Sequence, residues 1–392
     1  MKKIAFVMDS MDVGGIEKAL IELLKAFDYK KYEVTIWLKD NKGSMTTLLD
    51  PRTNINYWGN VYSKDALQKQ IKDFRIKETI RGIFFRFMCR FYKSSYDLNA
   101  LYAMRSLPRI TEKEYDCVIA YKAISATSVA NTLYRFNSAK RVLWVHGWVP
   151  RDSNDFRYCD KVFNREYRKF DKVFCVSKMV SEYFTHDFPS TKNISSVFYN
   201  LIDADEIGEK ALGNAEMKTD HTCLMTVGRL SQVKGQAMIP QTTRLLLDAG
   251  YDVYWYLVGD GDLRETVESE IQKYDVAEHV ILLGTQMNPY PYIKNCDIYV
   301  QPSFSEGYCT TTMEAKILHK PIVTTDAPGM REQFVSGENG LIVDAMTPEA
   351  LFEGIRTLLD HPELQAKFVE NLSHEVCDNS GELQKLYDFI ES

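Results

Sequence analysis

Two carboxylates eight positions apart, Glu306 and Glu314, bracket a run whose side chains could hold a phosphorylated sugar. The stretch reads SFSEGYCTTTME over 303–314, with Gly307 behind the first acid and Thr310, Thr311 and Thr312 between the two. QPSFSEG (301–307) has the composition of a loop leaving a strand, and TTMEAKILHK (from Thr311) that of a helix. Glu306 is then expected at the loop tip and Glu314 in the opening turns of the helix. Both lie at the helix end whose backbone N–H groups lack partners, the end that favours anions. Backbone dipoles there would hold a phosphate, and the carboxylates would hold sugar hydroxyls. A helix capped by Ser or Thr, with an early Glu favoured by the macrodipole, accounts for the same residues.

Other chemistry-bearing residues fall in similar places. VGRLSQVKG (227–235) sets Arg229 and Lys234 five apart in a strand-to-helix turn. A guanidinium fork and an ammonium point charge in such a turn suit a diphosphate better than they suit bulk solvent. DVGGIE (12–17) follows the first strand, and its paired Gly14 and Gly15 let backbone approach a ligand, although a tight turn explains them too. LVGDGD (257–262) reads as a nucleotide turn or as a β-turn before an Asp-capped helix. His146 closes the strand RVLWVH, where a functional and a structural imidazole are both possible readings. Asp260 and Asp262 have the spacing of a metal-binding acidic pair but lie inside the glycine turn. The eight cysteines form no CxxC pair, which weakens zinc and thioredoxin-like readings.

These residues need a scaffold that brings strand ends together. The 392 residues suggest two or three domains, and 45% hydrophobic with 26% charged residues is an ordinary globular composition. A net charge of −6 gives no global case for nucleic-acid binding. Strands are expected at 3–8, 32–38, 55–58, 117–121, 141–146, 172–177 and 194–200, then at 223–230, 253–261, 280–284, 296–303, 322–325 and 340–343. Helical patterns such as 236–250, 263–274 and 347–360 sit between them, and the last forty residues also read as helical. Continuous apolar strands alternating with helices argue for parallel sheets buried on both faces. The polar, aperiodic stretch 201–220 is read as a linker. The expected fold is α/β: two doubly wound Rossmann-like domains facing across a cleft, with ligands at the carboxyl ends of the strands.

One segment stands apart. Residues 64–109 carry eleven Lys or Arg against four acids, a local balance of +7. Ile76, Ile80, Ile83, Phe84, Phe87 and Phe91 share a helical face flanked by Lys77, Arg81, Arg86 and Arg90. That pattern suits an interfacial helix on an anionic membrane surface, or an amphipathic helix packed on its own domain. The N-terminal apolar run breaks at Asp9 and reads as a strand and not a signal peptide, and no stretch approaches a membrane span. The expected location is cytoplasmic, peripheral at the inner face of the plasma membrane, with thiols reduced.

VGRLSQVKG (227–235), LVGDGDLR (257–264), VILLG (280–284) and DIYVQPSFSEGYCTTTMEAKILHKPIVTTDAPGMREQFVSGENGLIV (297–343) together resemble the retaining glycosyltransferases of family 4, with Glu306 and Glu314 as the E-x7-E pair. The first half matches through GGIEKAL, the VHG at His146 and VFYNLID (197–203). The resemblance implies a GT-B fold: residues 1–203 bind the acceptor, 204–375 bind a nucleotide-sugar donor, and 376–392 return as a helix toward the first domain. It implies that Arg229 and Lys234 take the donor diphosphate, Glu314 the ribose hydroxyls, and Glu306 and His146 the transferred sugar. Backbone around Tyr308, Cys309, Thr310 and Thr311 would face sugar and phosphate, Gly14 and Gly15 the diphosphate, and Gly284 and Thr285 the base. Tyr308, Cys309 and Thr310 stand where the family often has small or aliphatic residues, and His319–Lys320 stand where it often has a glycine before Pro321. The implied activity is metal-independent, retaining transfer from a UDP-sugar to a lipid-linked or membrane-proximal saccharide in surface polysaccharide or glycolipid assembly. A nucleotide-sugar epimerase, a sugar phosphorylase and a non-catalytic sugar or nucleotide sensor are the alternatives. No cofactor beyond the donor, no metal and no nucleic-acid partner are expected.

Overall fold

Runs of apolar residues too short for helices and bounded by turn residues become parallel strands, the central ones buried on both faces. The computed structural model describes residues 1–59, 109–123, 125–147, 163–218 and 220–392. It divides into two compact units, Met1–Leu201 with Ser380–Ser392, and Ile202–Asn379. The basic, Phe-rich segment over 64–109 lies outside the described residues but for Arg109. Among the described residues no helix is long and apolar enough to cross a membrane.

The first domain carries a seven-stranded parallel sheet. Its strands are β1 (Lys2–Val7), β2 (Tyr32–Leu38), β3 (Asn54–Tyr57), β4 (Glu114–Ala120), β5 (Asn137–Val145), β6 (Lys172–Cys175) and β7 (Ser195–Val197). The order β3-β2-β1-β4-β5-β6-β7 means the chain winds outward one way from β1 and the other way from β4. The loops after β1 and β4 therefore part company at a switch point, where such sheets bind ligands. The helix Gly15–Lys25 buries Ala19, Leu20, Leu23 and Leu24 at helical spacing. The terminal helix Glu382–Glu391 belongs to this domain and buries Leu383, Leu386 and Ile390. Its Tyr387 ring stacks on Tyr32 at 4.8 Å, and the Tyr387 hydroxyl accepts the Asp28 N–H at 2.7 Å.

The second domain repeats the plan with six parallel strands: β8 (Thr222–Val227), β9 (Val253–Val258), β10 (Val280–Gly284), β11 (Ile298–Gln301), β12 (Ile322–Thr325) and β13 (Leu341–Val343). Their order is β10-β9-β8-β11-β12-β13, so the switch point lies between β8 and β11. One sheet face buries Leu224, Trp255, Ile298 and Val323 against helices, and the other buries Met225, Tyr256, Tyr299 and Ile322. Two polar side chains inside are paired: Trp255 Nε1–H donates to Thr226 Oγ1 at 3.0 Å, and Thr226 donates to the Val300 carbonyl at 2.7 Å.

The stretch expected to be an aperiodic linker contains the helix Ala204–Lys210. Asp203 caps it by accepting the Glu206 N–H at 2.9 Å. Ile207 and Ala211 alone anchor it in the core, too few apolar positions to show a period. The strand expected over 194–200 shortens to Ser195–Val197, since β7 is the edge of its sheet.

Candidate functional site

β8 and β11 run side by side and release their loops at the same end of the second sheet. The β8 loop carries Gly228, Arg229 and a short 3-10 turn, Gln232–Lys234. Gly235 ends that turn at φ +69, and a Cβ there would sit 2.0 Å from the Pro302 carbonyl oxygen. No other residue fits, because the β8 loop packs directly on the β11 loop. The Val233 carbonyl ties the two loops by accepting the Phe304 N–H at 2.9 Å. Arg229 is exposed, and its carbonyl accepts Gln236 Nε2 at 2.8 Å. Gln236 is buried, and its Oε1 has no hydrogen-bond partner among the described residues.

The loop contact brings Lys234 to Glu306. Lys234 Nζ lies 2.7 Å from both Glu306 carboxylate oxygens. Burial opposes the Lys234 charge, but the facing carboxylate outweighs it and holds the ammonium above its usual pKa. Glu306 was expected at a loop tip; instead it is only 8% exposed. The loop turns inward so that the acid meets its cation and the Ser303 hydroxyl, which donates to Oε1 at 2.6 Å.

Behind this pair lies a fully buried glutamine that the sequence reading passed over. Gln301 Nε2 donates to Ser303 Oγ at 2.8 Å and reaches Glu306 Oε1 at 3.5 Å. Its Oε1 accepts from the Tyr299 hydroxyl at 2.9 Å and from Thr311 Oγ1 at 3.1 Å. The available signal was one polar residue closing the apolar run IYVQ.

The helix Thr310–Ile317 begins at Cys309, which offers no side-chain cap, so its first amides face the loop. Glu314 is 1% exposed, Cys309 is buried, and Tyr308, Thr310 and Thr311 are half-buried. The Tyr308 hydroxyl meets Met313 Sδ at 3.6 Å. Gln333, also unforeseen, braces the helix start: its Nε2 donates to the Cys309 carbonyl at 3.2 Å and its Oε1 accepts Thr312 Oγ1 at 2.6 Å. Lys316 Nζ donates to the Gln333 carbonyl at 2.8 Å and pairs with Glu375 at 2.7 Å. Burial pushes the Cys309 thiol up to about 11, so it stays protonated near neutrality.

Gly284 closes β10 with φ +67, and Thr285 beside it is exposed. Asp260 is occupied within its turn: it accepts the Gly261 N–H at 2.8 Å and pairs with Arg264 at 3.2 Å. Among the described residues no group of three His, Cys, Asp or Glu is arranged to hold a metal.

Gly14, Gly15 and His146 belong to the first domain. Gly14 is extended at φ −171, a conformation any residue adopts, and Gly15 opens the helix after β1. His146 follows β5, with its ring 4.5 Å from that of Tyr121, the residue after β4. Burial pushes its pKa down to about 3; a hydrogen bond with the Tyr121 backbone works against that shift, and the Lys122 charge adds to it. The imidazole is therefore neutral, and its Nε2 is buried with no hydrogen-bond partner among the described residues. Glu17, a buried acid in the helix Gly15–Lys25, was also not foreseen; it adds to burial in raising the Tyr121 hydroxyl.

Comparison with known proteins covers both halves. Residues 13–206 match the family model described as Glycosyltransferase Family 4, and residues 210–374 the one described as Glycosyl transferases group 1. One curated relative is an N-acetylgalactosamine-N,N'-diacetylbacillosaminyl-diphospho-undecaprenol 4-alpha-N-acetylgalactosaminyltransferase of Campylobacter jejuni. It is 29% identical over 203 residues, 52% of this chain and 54% of that protein. The capsular polysaccharide biosynthesis glycosyltransferase CapM of Staphylococcus aureus is 25% identical over 45% of this chain and 47% of its own length. The matches thus span about half of each of these relatives. Anabaena HepE, solved with UDP and glucose, superimposes with a TM-score of 0.74 at 17% identity over 100% of both chains, a likeness of fold.

Proposed function

Since the chain belongs to glycosyltransferase family 4, we propose that it moves a sugar from a nucleotide-diphospho-sugar, with UDP as the nucleotide, to a hydroxyl of a saccharide acceptor. The observation that carries this reading is the Lys234–Glu306 pair beside exposed Arg229, where the β8 and β11 loops meet. An ammonium held in place by a buried carboxylate, with a guanidinium five residues away, is a preorganised seat for diphosphate. The uncapped start of the helix Thr310–Ile317 adds backbone N–H groups of the same electrostatic sign.

In the proposed reaction the bond between the anomeric carbon and the β-phosphate oxygen breaks while the acceptor oxygen bonds to that carbon from the same face. The acceptor proton passes to the departing phosphate oxygen, so configuration is retained without a covalent enzyme intermediate. Arg229, Lys234 and the helix amides stabilise the charge that develops on the diphosphate, which is catalysis by positioning and electrostatics. Glu306 takes a sugar hydroxyl and orients Lys234, and Glu314 takes the ribose. His146 serves as a neutral hydrogen-bonding contact to the sugar. The reaction is proposed to run without a divalent metal.

The acceptor is proposed to be a lipid-linked or membrane-proximal saccharide in bacterial surface-polysaccharide or glycolipid assembly. Support comes from the diphospho-undecaprenol and capsular polysaccharide named for the two relatives. A thermal-shift panel of UDP, GDP and their sugars tests the donor. A ligand at 100 times its Kd should add about 2.7 kcal/mol of stability. Stabilisation by UDP-sugars supports the reading, and no response to any nucleotide sugar contradicts it.

A further inference from the structure

Glu306 is held by more than its cation. Gln301 is fully buried at the end of β11, and both ends of its carboxamide are engaged. The orientation is dictated chemically. Glu306 is an acceptor when ionised, so the amide must turn its NH2 toward Ser303 and Glu306, and its carbonyl toward the hydroxyls of Tyr299 and Thr311. Because Ser303 Oγ accepts from Gln301, its own proton is left to donate to Glu306. A directed chain results: the Tyr299 hydroxyl, the Gln301 amide, the Ser303 hydroxyl, and the Glu306 carboxylate with Lys234 on its far side. Thr311, in the first turn of the helix Thr310–Ile317, joins the chain at the Gln301 carbonyl.

We infer that Gln301 is a positioning residue that fixes both the orientation of the Glu306 carboxylate and the first turn of the Thr310–Ile317 helix. It thereby sets the geometry of the sugar contact and of the phosphate-facing amides together. In a dry interior such a directed chain is worth more than its separate bonds, and an amide facing the wrong way would set its carbonyl against a carboxylate. This inference rests on the reading of Glu306 and the helix end as parts of a donor site.

The test uses the full-length protein with Gln301→Met and Gln301→Glu. UDP release is followed from whichever of UDP-glucose, UDP-N-acetylglucosamine or UDP-N-acetylgalactosamine supports turnover with a bacterial glycolipid extract. Met has similar length but no polar ends; kcat should fall about tenfold or more while the donor KM moves by less than about twofold. Gln301→Glu is isosteric and can replace the amide only while protonated. Its kcat/KM should fall between about pH 5 and pH 8, a limb the wild type lacks. A Gln301→Met enzyme with wild-type kcat, or a Gln301→Glu enzyme with the wild-type pH profile, would overturn the inference while leaving the transfer activity standing. An unfolding cycle decides the matter without turnover. At about pH 8 the loss of unfolding midpoint caused by Gln301→Glu should shrink when Glu306→Gln is also present, because the like charge has gone. Strictly additive losses would contradict a direct link between the two side chains. Absence of wild-type turnover with every donor would count against the sugar-transfer reading, not against this cycle.

Discussion

Lys234 and Glu306 are 72 residues apart in sequence and meet at 2.7 Å through both carboxylate oxygens, where the loops after β8 and β11 pack on each other. The pair joins two loops that also share backbone hydrogen bonds and the tight seat of Gly235. In the proposed donor site it would serve structure and chemistry at once. The carboxylate holds a cation where a diphosphate would sit, and the cation offsets the cost of burying the carboxylate.

Removing the cation should therefore be felt in stability as well as in transfer. Lys234→Ala leaves Glu306 buried beside the Ser303 hydroxyl and the Gln301 amide, with no cation facing it. The expected cost is about 3 kcal/mol, measured by urea unfolding. Arg229→Ala, at an exposed position, should cost less than about 0.5 kcal/mol while weakening UDP binding more than tenfold by calorimetry.

The neutral His146 gives a pH dependence of known sign. Its folded pKa of about 3 lies below the unfolded value, so the unfolded chain binds the extra proton. Stability is full above about pH 6.5 and is lost as pH falls from there toward 3, at up to about 1.4 kcal/mol per pH unit. Subtracting the pH–stability curve of His146→Phe from that of the wild type should isolate this slope. Parallel curves would show that folding leaves the proton affinity of the imidazole unchanged.

The terminal helix should be needed by the first domain. Leu386 is fully buried, and Leu386→Ala should cost about 3 kcal/mol. Ending the chain at Asn379 removes Tyr387 from Tyr32 and uncovers Phe27, whose ring lies 5.4 Å from that of Tyr387. Limited proteolysis of the truncated chain should cut within 1–201 first.

Gly259 holds the β9 turn against the β8 loop. It sits at φ +138, and a Cβ would stand 2.0 Å from the Gly228 carbonyl oxygen. Gly259→Ala should cost about 3 kcal/mol and displace Arg229, so that UDP affinity falls with the unfolding midpoint. Unchanged affinity in a folded Gly259→Ala protein would mean that the β8 loop moves independently of the turn.

Much of this was legible because strands buried on both faces advertise themselves. Tyr32–Leu38 and Ile322–Thr325 begin and end where their apolar runs do. The helix Ala204–Lys210 was not legible, since two small anchors make no period. The site was legible as a set of residue types but not as contacts. Glu306 carries no local mark of burial, because its cation arrives from a distant loop. Gln301, Gln333 and Lys316 look like ordinary polar residues until tertiary packing encloses them. Glu17 sits among the polar positions of an amphipathic helix, and only the proximity of Tyr121 reveals that it faces inward.

The most direct test of the central claim is sugar transfer itself, followed as UDP release from UDP-sugars with a bacterial glycolipid extract and with the product anomer read by NMR. The account predicts turnover by the wild type that retains anomeric configuration and a drop of about a hundredfold or more in both Lys234→Ala and Arg229→Ala. Wild-type turnover that persists undiminished in both variants, or a product of inverted configuration, would contradict it.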